Sequence, residues 1–403
     1  MPIKCDVLVV GGGPAGSSAA YSASKSGAKT ILIEKKDEIT QVSCAEGMGA
    51  YLFPLLPFKI PKKQLIWGID GISFSDGETE IIQKGHFYKG WSVERKNFDN
   101  WLLSLAENSG TKIMMGTELL DVEISKEYHV KKVIAKSKEK VITIEPTFLI
   151  AADGVESTVA KKIDVLKKHP KSIGNVYSWE MKNVSLKYPH LEQMYFGDFA
   201  QGGYAYIFPK SNDRANIGVG STKEENLEKN FNYFLKEIIP SQVKNAVKTV
   251  DRSGKAPIDY IVPKWKYGNI IFTGDAANQN FKPYIEGILP SVICGDIAGK
   301  AASSDGKKDY ETMIREKIGR QFKESDRLLK KLYEIDQIEG EKKNLLSIYL
   351  FAFMNTRELD KLSEKEIPVI KNELLRKSHH VNSFITMLKY FIWYSKVLAT
   401  RRD

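Results

Sequence analysis

A glycine-rich segment near the start of the chain has the residue types and spacing that bind phosphate groups. Gly11, Gly13 and Gly16 satisfy the pattern G-x-G-x-x-G. The first glycine permits a tight turn, the second lets a pyrophosphate approach the backbone, and the third lets a helix pack on a strand. The amide groups at the start of that helix then favour the phosphates.

The elements around these glycines have the order that a dinucleotide site requires. Residues 7–10 form an apolar run typical of a buried parallel strand, residues 17–24 a small-residue helix, and residues 29–33 a second strand. Glu34 closes that strand, where its carboxylate can accept a hydrogen bond from a ribose hydroxyl. An acid there disfavours the 2′-phosphate of NADP. A glycine turn without a ligand is the alternative, and the matching elements favour dinucleotide binding.

Three later segments carry polar groups at the ends of apolar runs. They are Arg95-x-x-x-Asp99 ahead of a helix over residues 101–108, the strand 148–152 ending in Asp153-Gly154, and the strand 269–272 followed by Gly274-Asp275-Ala-Ala. Beyond the last of these, Gly287-Ile288 opens a small-residue helix towards Ala302. The amides of that helix start would stabilise negative charge on a bound ring.

In their order, these motifs resemble the flavoprotein hydroxylase fold, also called p-hydroxybenzoate-hydroxylase-like. The resemblance implies an α/β protein that binds FAD on a Rossmann-type domain, with an antiparallel-sheet substrate domain and a helical C-terminal part. We therefore expect a discontinuous FAD-binding domain (1–60, 92–160 and 268–305), a substrate-binding sheet domain (61–91 and 161–267) and a helical C-terminal region (306–403).

Two segments resemble the geranylgeranyl reductase family more narrowly, especially the archaeal digeranylgeranylglycerophospholipid reductases. Ser43-Cys44-Ala45-Glu46-Gly47 is similar to the Cys-Ala-Glu-Gly motif that the family places beside the flavin. Residues 204–209 are similar to its substrate-sheet motif Tyr-x-Trp-x-Phe-Pro, with Tyr206 in place of tryptophan. The chain also departs after the Gly-Asp-Ala-Ala box, where Tyr284 and Ile285 would narrow the space over the flavin.

The resemblance implies roles for individual residues. Cys44 would line the reactive face of the flavin, and Tyr204 and Tyr206 would form the wall of an apolar substrate tunnel. The residues expected to bind FAD are Gly11, Gly13, Ala15, Gly16, Glu34, Cys44, Ala45, Gly47, Arg95, Leu119, Asp153, Asp275, Gly287 and Ile288.

Each of these side chains also has a plainer interpretation. Cys44 would be a small buried hydrophobe, and Arg95 a solvated charge at the start of a helix. Asp153 would cap a turn, and Leu119 would belong to the core. The stripe of Tyr204, Tyr206 and Phe208 has period two, so one face of a strand carries all three, and that face would also suit a sheet core.

Composition excludes several classes of protein. The chain has 403 residues, is 42% hydrophobic and 27% charged, and carries a net charge of +10. These values exclude a disordered chain, a collagen-like repeat and a polytopic membrane protein. Three cysteines cannot form a disulfide scaffold, and six scattered histidines make a dedicated metal site unexpected. Lysines are spread along the chain, so we expect no nucleic-acid partner.

The two ends of the chain bear on its location. The N-terminus lacks the features of a signal peptide, and no stretch reaches the 18 or more apolar residues of a membrane span. We therefore expect a cytoplasmic protein. Residues 389–402 form a basic aromatic end, either a helix packed on the body or an interfacial helix that touches anionic lipid and makes the protein peripheral at the membrane.

Together these features predict an FAD-dependent reductase of the carbon–carbon double bonds of isoprenoid lipids. Its electron donor would be a ferredoxin or NAD(P)H, and the sequence does not identify a proton donor. Two alternatives stay open. One is a flavin monooxygenase or halogenase on the same fold, and the other is a prenyl-binding protein without flavin chemistry.

Overall fold

The structure, a computed structural model, describes residues 1–40, 42–165, 172–223, 226–261, 264–304, 309–337 and 341–353. In these residues the α-helices are α1 (Pro14–Lys25), α2 (Arg95–Asn108), α3 (Thr158–Lys162), α4 (Leu227–Tyr233), α5 (Pro240–Val243), α6 (Ile288–Ser303), α7 (Tyr310–Lys317), α8 (Gly319–Asp336) and α9 (Glu341–Phe353). The basic aromatic end at residues 389–402 lies outside the described part.

The strands of the first half are β1 (Ile3–Val10), β2 (Thr30–Ile33), β3 (Gly47–Gly49), β4 (Trp67–Ile69), β5 (Gly71–Ser75), β6 (Glu80–Lys84), β7 (Gly90–Ser92), β8 (Lys112–Met114) and β9 (Thr117–Ile124). Those of the second half are β10 (Val130–Ser137), β11 (Lys140–Ala151), β12 (Ile173–Lys182), β13 (Leu191–Tyr195), β14 (Tyr204–Pro209), β15 (Arg214–Ser221), β16 (Val247–Pro257), β17 (Lys266–Tyr267) and β18 (Ile270–Phe272).

The first sheet follows the order β17-β18-β11-β1-β2-β8, and its central strands are parallel. β1 is buried along its second half because helices cover the sheet, which explains its unbroken run of Val and Leu. The hairpin β9–β10 joins the long strand β11 at one side. This arrangement confirms the predicted α/β class and its Rossmann-type sheet.

The second sheet has the order β16-β12-β15-β14-β13-β5-β6. Its neighbours are antiparallel except for β13 and β5, which run parallel. The predicted antiparallel sheet is therefore present with one parallel pair in it. A three-stranded sheet, β3-β7-β4, begins at Gly47 of the motif around Cys44, and Ser92 in β7 donates to the carbonyl of Pro209 in the second sheet at 2.5 Å.

Small residues let α1 and α6 pack closely against each other. A Cβ on Gly295 would lie 2.1 Å from the carbonyl oxygen of Ala15, and one on Gly299 would lie 2.2 Å from that of Ala19. Ser18 Oγ donates to the carbonyl of Val292 at 2.7 Å across the same interface. This contact brings the N-terminal ends of two long helices to one region of the molecule.

Candidate cofactor and substrate site

The glycine turn after β1 has the geometry that its sequence predicts. Gly11 has a φ of +106°, which favours glycine, and a Cβ there would lie 2.3 Å from the carbonyl oxygen of Ala152. A Cβ on Gly16 would lie 1.9 Å from the carbonyl oxygen of Gly11. Gly13 precedes α1 and supplies no side-chain cap. Nothing lies within 4 Å of the position that a Cβ on Gly13 would take. The helix start is therefore open to a phosphate.

Glu34 turns back towards this glycine turn. Its Oε2 accepts a hydrogen bond from the amide of Gly12 at 2.7 Å, and its Oε1 accepts one from the amide of Lys36 at 3.0 Å. The carboxylate is thereby fixed at the end of β2, beside the start of α1. Fixed in this way, it can accept from a ribose hydroxyl.

A second open helix start lies at α6. Gly287 precedes α6 and supplies no side-chain cap. A Cβ on Gly287 would lie 3.7 Å from Oδ1 of Asp275, so this carboxylate and the start of α6 are close together. Gly274 has a φ of +67° in the turn that presents Asp275. The structure thus brings the two predicted motifs to one place.

The segment around Cys44 faces the same region. Asn216 Nδ2 donates to the carbonyl of Cys44 at 2.6 Å, and Cys44 Sγ accepts from the amide of Glu46 at 3.3 Å. The Arg95 guanidinium also contacts the thiol, and it donates to both carboxylate oxygens of Asp99 at 2.8 Å. Arg95 is thus positioned by Asp99 beside Cys44.

Beneath the motif lies a buried ion cluster that sequence reasoning missed. Lys210 Nζ lies 2.6 Å from Glu46, 2.8 Å from Glu94 and 2.9 Å from Glu180, and its side chain is fully buried. Arg252 contacts Glu46 at 3.2 Å and Glu180 at 3.0 Å. The three carboxylates are close enough to hold a metal ion, but three cations already neutralise them, since Arg214 contacts Glu94 at 2.7 Å and Glu180 at 3.5 Å in addition to the contacts of Lys210 and Arg252. The cluster anchors Glu46 and hence the loop that presents Cys44.

A cavity of about 270 Å³ joins these loops to the second sheet. Cys44, Arg95 and Asp275 line one side of it. On the other side lie Tyr204, Tyr206 and Phe208, so the predicted stripe does face a cavity. The remaining lining includes Ile69, Ile72, Phe87, Met194 and Ile285, which make that side largely apolar.

The tyrosine wall is held in place by specific contacts. The phenol of Tyr204 donates to the carbonyl of Tyr284 at 2.6 Å, and the phenol of Tyr284 donates to the carbonyl of Phe351 in α9 at 2.6 Å. Tyr206 fits because β15 has a glycine opposite it: a Cβ on Gly218 would lie 2.5 Å from the Tyr206 hydroxyl. α9 therefore packs against Tyr204 and Tyr284 through Phe351.

Two acidic side chains in the cavity were not expected. Glu286 Oε1 accepts from the amide of Gly49 at 3.0 Å, and its Oε2 accepts from the Tyr51 hydroxyl at 2.6 Å. Glu192, half-buried on β13, also lines the cavity. Burial and the nearby Glu286 raise the pKa of Glu192 to about 8. A charge inside the otherwise buried strand Leu191–Tyr195 is the signal that could have revealed it.

Seven of the fourteen predicted cofactor residues do not line this cavity: Gly11, Gly13, Ala15, Gly16, Glu34, Leu119 and Asp153. Leu119 is buried in β9 within the main core. Asp153 follows β11, and its Oδ2 accepts from the amide of Val159 at 2.9 Å, which fits the role of a turn cap. Burial raises the pKa of the Asp153 carboxyl. Contact of either residue with FAD stays a prediction.

The residues present fit an FAD molecule. Two uncapped helix starts, at Gly13 and Gly287, offer backbone amides to anionic groups. The open space at Gly13 suits a pyrophosphate, and the Glu34 carboxylate suits a ribose. Ala45, Gly47 and Ile288 border the space between Cys44 and the start of α6, where the isoalloxazine ring would lie.

Comparison with known proteins defines the class. The family described as FAD binding domain matches residues 86–281, and the family described as FAD dependent oxidoreductase matches residues 6–155. The chain is therefore an FAD-dependent oxidoreductase.

Curated relatives narrow this class. The digeranylgeranylglycerophospholipid reductase of Methanococcus aeolicus is 36% identical over 328 residues, covering 77% of this chain and 82% of the relative. That of Methanocaldococcus jannaschii is 33% identical over 377 residues, covering 92% of this chain and 90% of the relative. The chain belongs to the digeranylgeranylglycerophospholipid reductase family.

Solved structures share the fold. A geranylgeranyl bacteriochlorophyll reductase-like protein from Thermoplasma acidophilum has a TM-score of 0.79 at 23% identity, covering 93% of this chain and all of that one (100%). The myxobacterial chondrochloren halogenase has a TM-score of 0.67 at 15% identity, covering 93% of this chain and 97% of the halogenase. The fold alone is thus common to reductases and halogenases.

Proposed function

We propose that this protein saturates the carbon–carbon double bonds of geranylgeranyl chains carried by glycerophospholipids. The observation that carries the proposal is the cavity that connects the cofactor loops to the apolar wall of the second sheet. Reduced FAD, when bound, would supply a hydride to one carbon of the alkene. The names of the curated relatives support the substrate class.

The chain's own residues would position the alkene and exclude water. An unactivated alkene has no carbonyl group to polarise, so addition of a proton builds positive charge on the more substituted carbon. The apolar lining from Ile69, Ile72 and Met194 would keep water from trapping that charge. The ring faces of Tyr204 and Tyr206 carry negative quadrupole density that would stabilise it.

Electron supply and membrane contact complete the proposal. A ferredoxin or NAD(P)H would reduce the cofactor from outside the cavity. None of the helices in the described residues is long and apolar enough to cross a membrane. Because the proposed substrate is a membrane lipid, we propose that the protein contacts the membrane surface.

The test uses the purified holoenzyme without oxygen. Its flavin is reduced with dithionite and mixed with a geranylgeranylated glycerophospholipid, while flavin absorbance and lipid mass are followed. We expect lipid-dependent reoxidation with one dihydrogen gained per double bond. Reoxidation by oxygen alone, together with NADPH consumption stimulated by an aromatic acid, would instead favour a monooxygenase or halogenase.

A further inference from the structure

Saturation of an alkene needs a proton as well as a hydride, and the cavity holds few groups able to give one. The titratable and charged groups that line it are Cys44, Glu46, Tyr51, Tyr88, Lys89, Arg95, Glu192, Tyr204, Tyr206, Lys255, Asp275, Tyr284 and Glu286. Among them, Glu46 is paired with Lys210 and Arg252, and Tyr51, Tyr88 and Tyr284 each donate to an oxygen of the protein. The donor must carry a proton near neutral pH, release it readily and reach the space beside the cofactor loops.

Most of these groups are engaged in ways that disfavour proton donation. Cys44 Sγ accepts from the amide of Glu46 and faces the guanidinium of Arg95, so donors surround the sulfur. Burial raises the pKa of the Glu286 carboxyl, but both of its oxygens already accept hydrogen bonds, from the Gly49 amide and the Tyr51 hydroxyl, and these oppose its protonation.

The tyrosines are weak acids in this site. Tyr204 already donates its proton to the carbonyl of Tyr284. Burial raises the pKa of both Tyr204 and Tyr206 far above the usual value of a phenol, so each holds its proton too tightly to give it up at neutral pH. Neither phenol therefore meets the requirement.

Glu192 differs from all of these groups. Its carboxyl has no hydrogen-bond or ion-pair partner in the described part of the chain. Oε1 lies 2.3 Å from the position of a Cβ on Gly47, so the carboxyl rests directly against the Cys-Ala-Glu-Gly segment. Met194, two residues along β13, points into the same cavity. The carboxyl thus lies between the apolar wall and the loop beside the cofactor.

We propose that Glu192 is the proton donor of the reaction, placed between the wall formed by Tyr204, Tyr206 and Phe208 and the Cys-Ala-Glu-Gly segment. This inference rests on the proposed function. The raised pKa of about 8 supports it, because the carboxyl then keeps its proton at neutral pH. Glu286, anchored by Gly49 and Tyr51, would supply the nearby negative charge that keeps Glu192 protonated.

The step balances in atoms and electrons. The O–H bond of Glu192 breaks, and a C–H bond forms at the less substituted alkene carbon. The hydride that the reduced cofactor supplies forms the second C–H bond and brings both electrons. The carboxylate left on Glu192 is reprotonated from solvent before the next double bond is saturated.

The experiment compares single turnovers of reduced holoenzyme carrying Glu192→Gln, Glu192→Asp or the control Glu107→Gln. Glutamine has nearly the shape of glutamate but no acidic proton, and Glu107 is exposed on α2. With a geranylgeranylated glycerophospholipid, we expect Glu192→Gln to slow lipid-dependent flavin oxidation by roughly a hundredfold. Glu192→Asp should retain part of the rate, and Glu107→Gln all of it.

A second readout does not depend on turnover. The thermal midpoint of the oxidised holoenzyme is measured against pH for the wild type and for Glu192→Gln. Because folding raises the pKa of Glu192 from 4.5 to about 8, the wild type should lose stability relative to the variant as pH rises through this interval. Parallel pH profiles would mean that Glu192 is ionised at neutral pH and would overturn the proposal.

The outcomes distinguish a failure of the proton-donor assignment from a failure of the proposed function. A wild-type rate in Glu192→Gln, with the wild type active, would remove Glu192 as donor and leave the reductase function standing. If the wild type itself does not reduce the lipid, the proposed function fails, and the proton-donor role falls with it. A loss of rate in Glu107→Gln equal to that in Glu192→Gln would likewise overturn the assignment.

Discussion

The carboxyl of Glu192 occupies the space that a side chain on Gly47 would need: its Oε1 lies 2.3 Å from the Cβ position on that glycine. Two segments far apart in the chain therefore depend on each other. The glycine of the Cys-Ala-Glu-Gly motif leaves room for an acid on β13, and the same Cβ position would lie 3.0 Å from the ring of Phe208.

The first prediction is that Gly47→Ala slows lipid reduction. The new methyl group would displace the Glu192 carboxyl and press on Phe208, and such misplacement costs about tenfold to a hundredfold in rate. Gly68→Ala is the matched control on β4 of the same three-stranded sheet, because its methyl group would meet Trp91 at an ordinary 3.6 Å. Equal single-turnover rates for the two variants would contradict the close contact.

The second prediction concerns the pH dependence of the reaction. Glu192 has a pKa raised to about 8, so it is protonated below that pH and loses its proton above it. The single-turnover rate should therefore be constant near neutral pH and fall as pH rises through about 8. Glu192→Gln should lack this fall. A wild-type rate that increases through the same interval would contradict the sign of this dependence.

The third prediction tests the buried ion cluster. Lys210→Met leaves Glu46, Glu94 and Glu180 with less positive charge in a buried place, which should lower the free energy of unfolding by about 3–5 kcal/mol. Lys132→Met removes an exposed pair with Glu123 and should cost less than about 1 kcal/mol. Urea denaturation of both variants measures the difference, and similar losses would refute the role of the cluster.

The fourth prediction concerns cofactor affinity. Glu34→Ala removes the carboxylate that would accept from the ribose and that also holds the amide of Gly12. We expect FAD to bind about tenfold more weakly, as for the loss of a hydrogen bond to a charged group. Flavin fluorescence during titration of the apoprotein measures this. Glu38→Ala, exposed a few residues further on, should bind as the wild type does.

The cofactor half of the fold could be predicted because its signals are local. The glycines of the first turn, Glu34 and the start of α6 at Ile288 each lie within short segments whose spacing fixes their conformation. The predicted start of α2 was wrong. The helix begins at Arg95 and not near residue 101, because Phe98 packs in the core although its neighbours are polar.

The substrate half could be predicted only in part. The alternation of Tyr204, Tyr206 and Phe208 placed them on one face of a strand, but only the fold shows that this face borders a cavity. The acids and bases of the buried ion cluster come from positions far apart in the chain. Lys210 and Glu46 are separated by 164 positions, and no local pattern indicates that they pair.

The most direct test of the account is the stoichiometry of one anaerobic turnover. Reduced holoenzyme in excess is mixed with a lipid that carries geranylgeranyl chains, and flavin oxidised is compared with hydrogen gained by the lipid. The account predicts one double bond saturated for each flavin oxidised. Flavin oxidation without hydrogen in the lipid would contradict it.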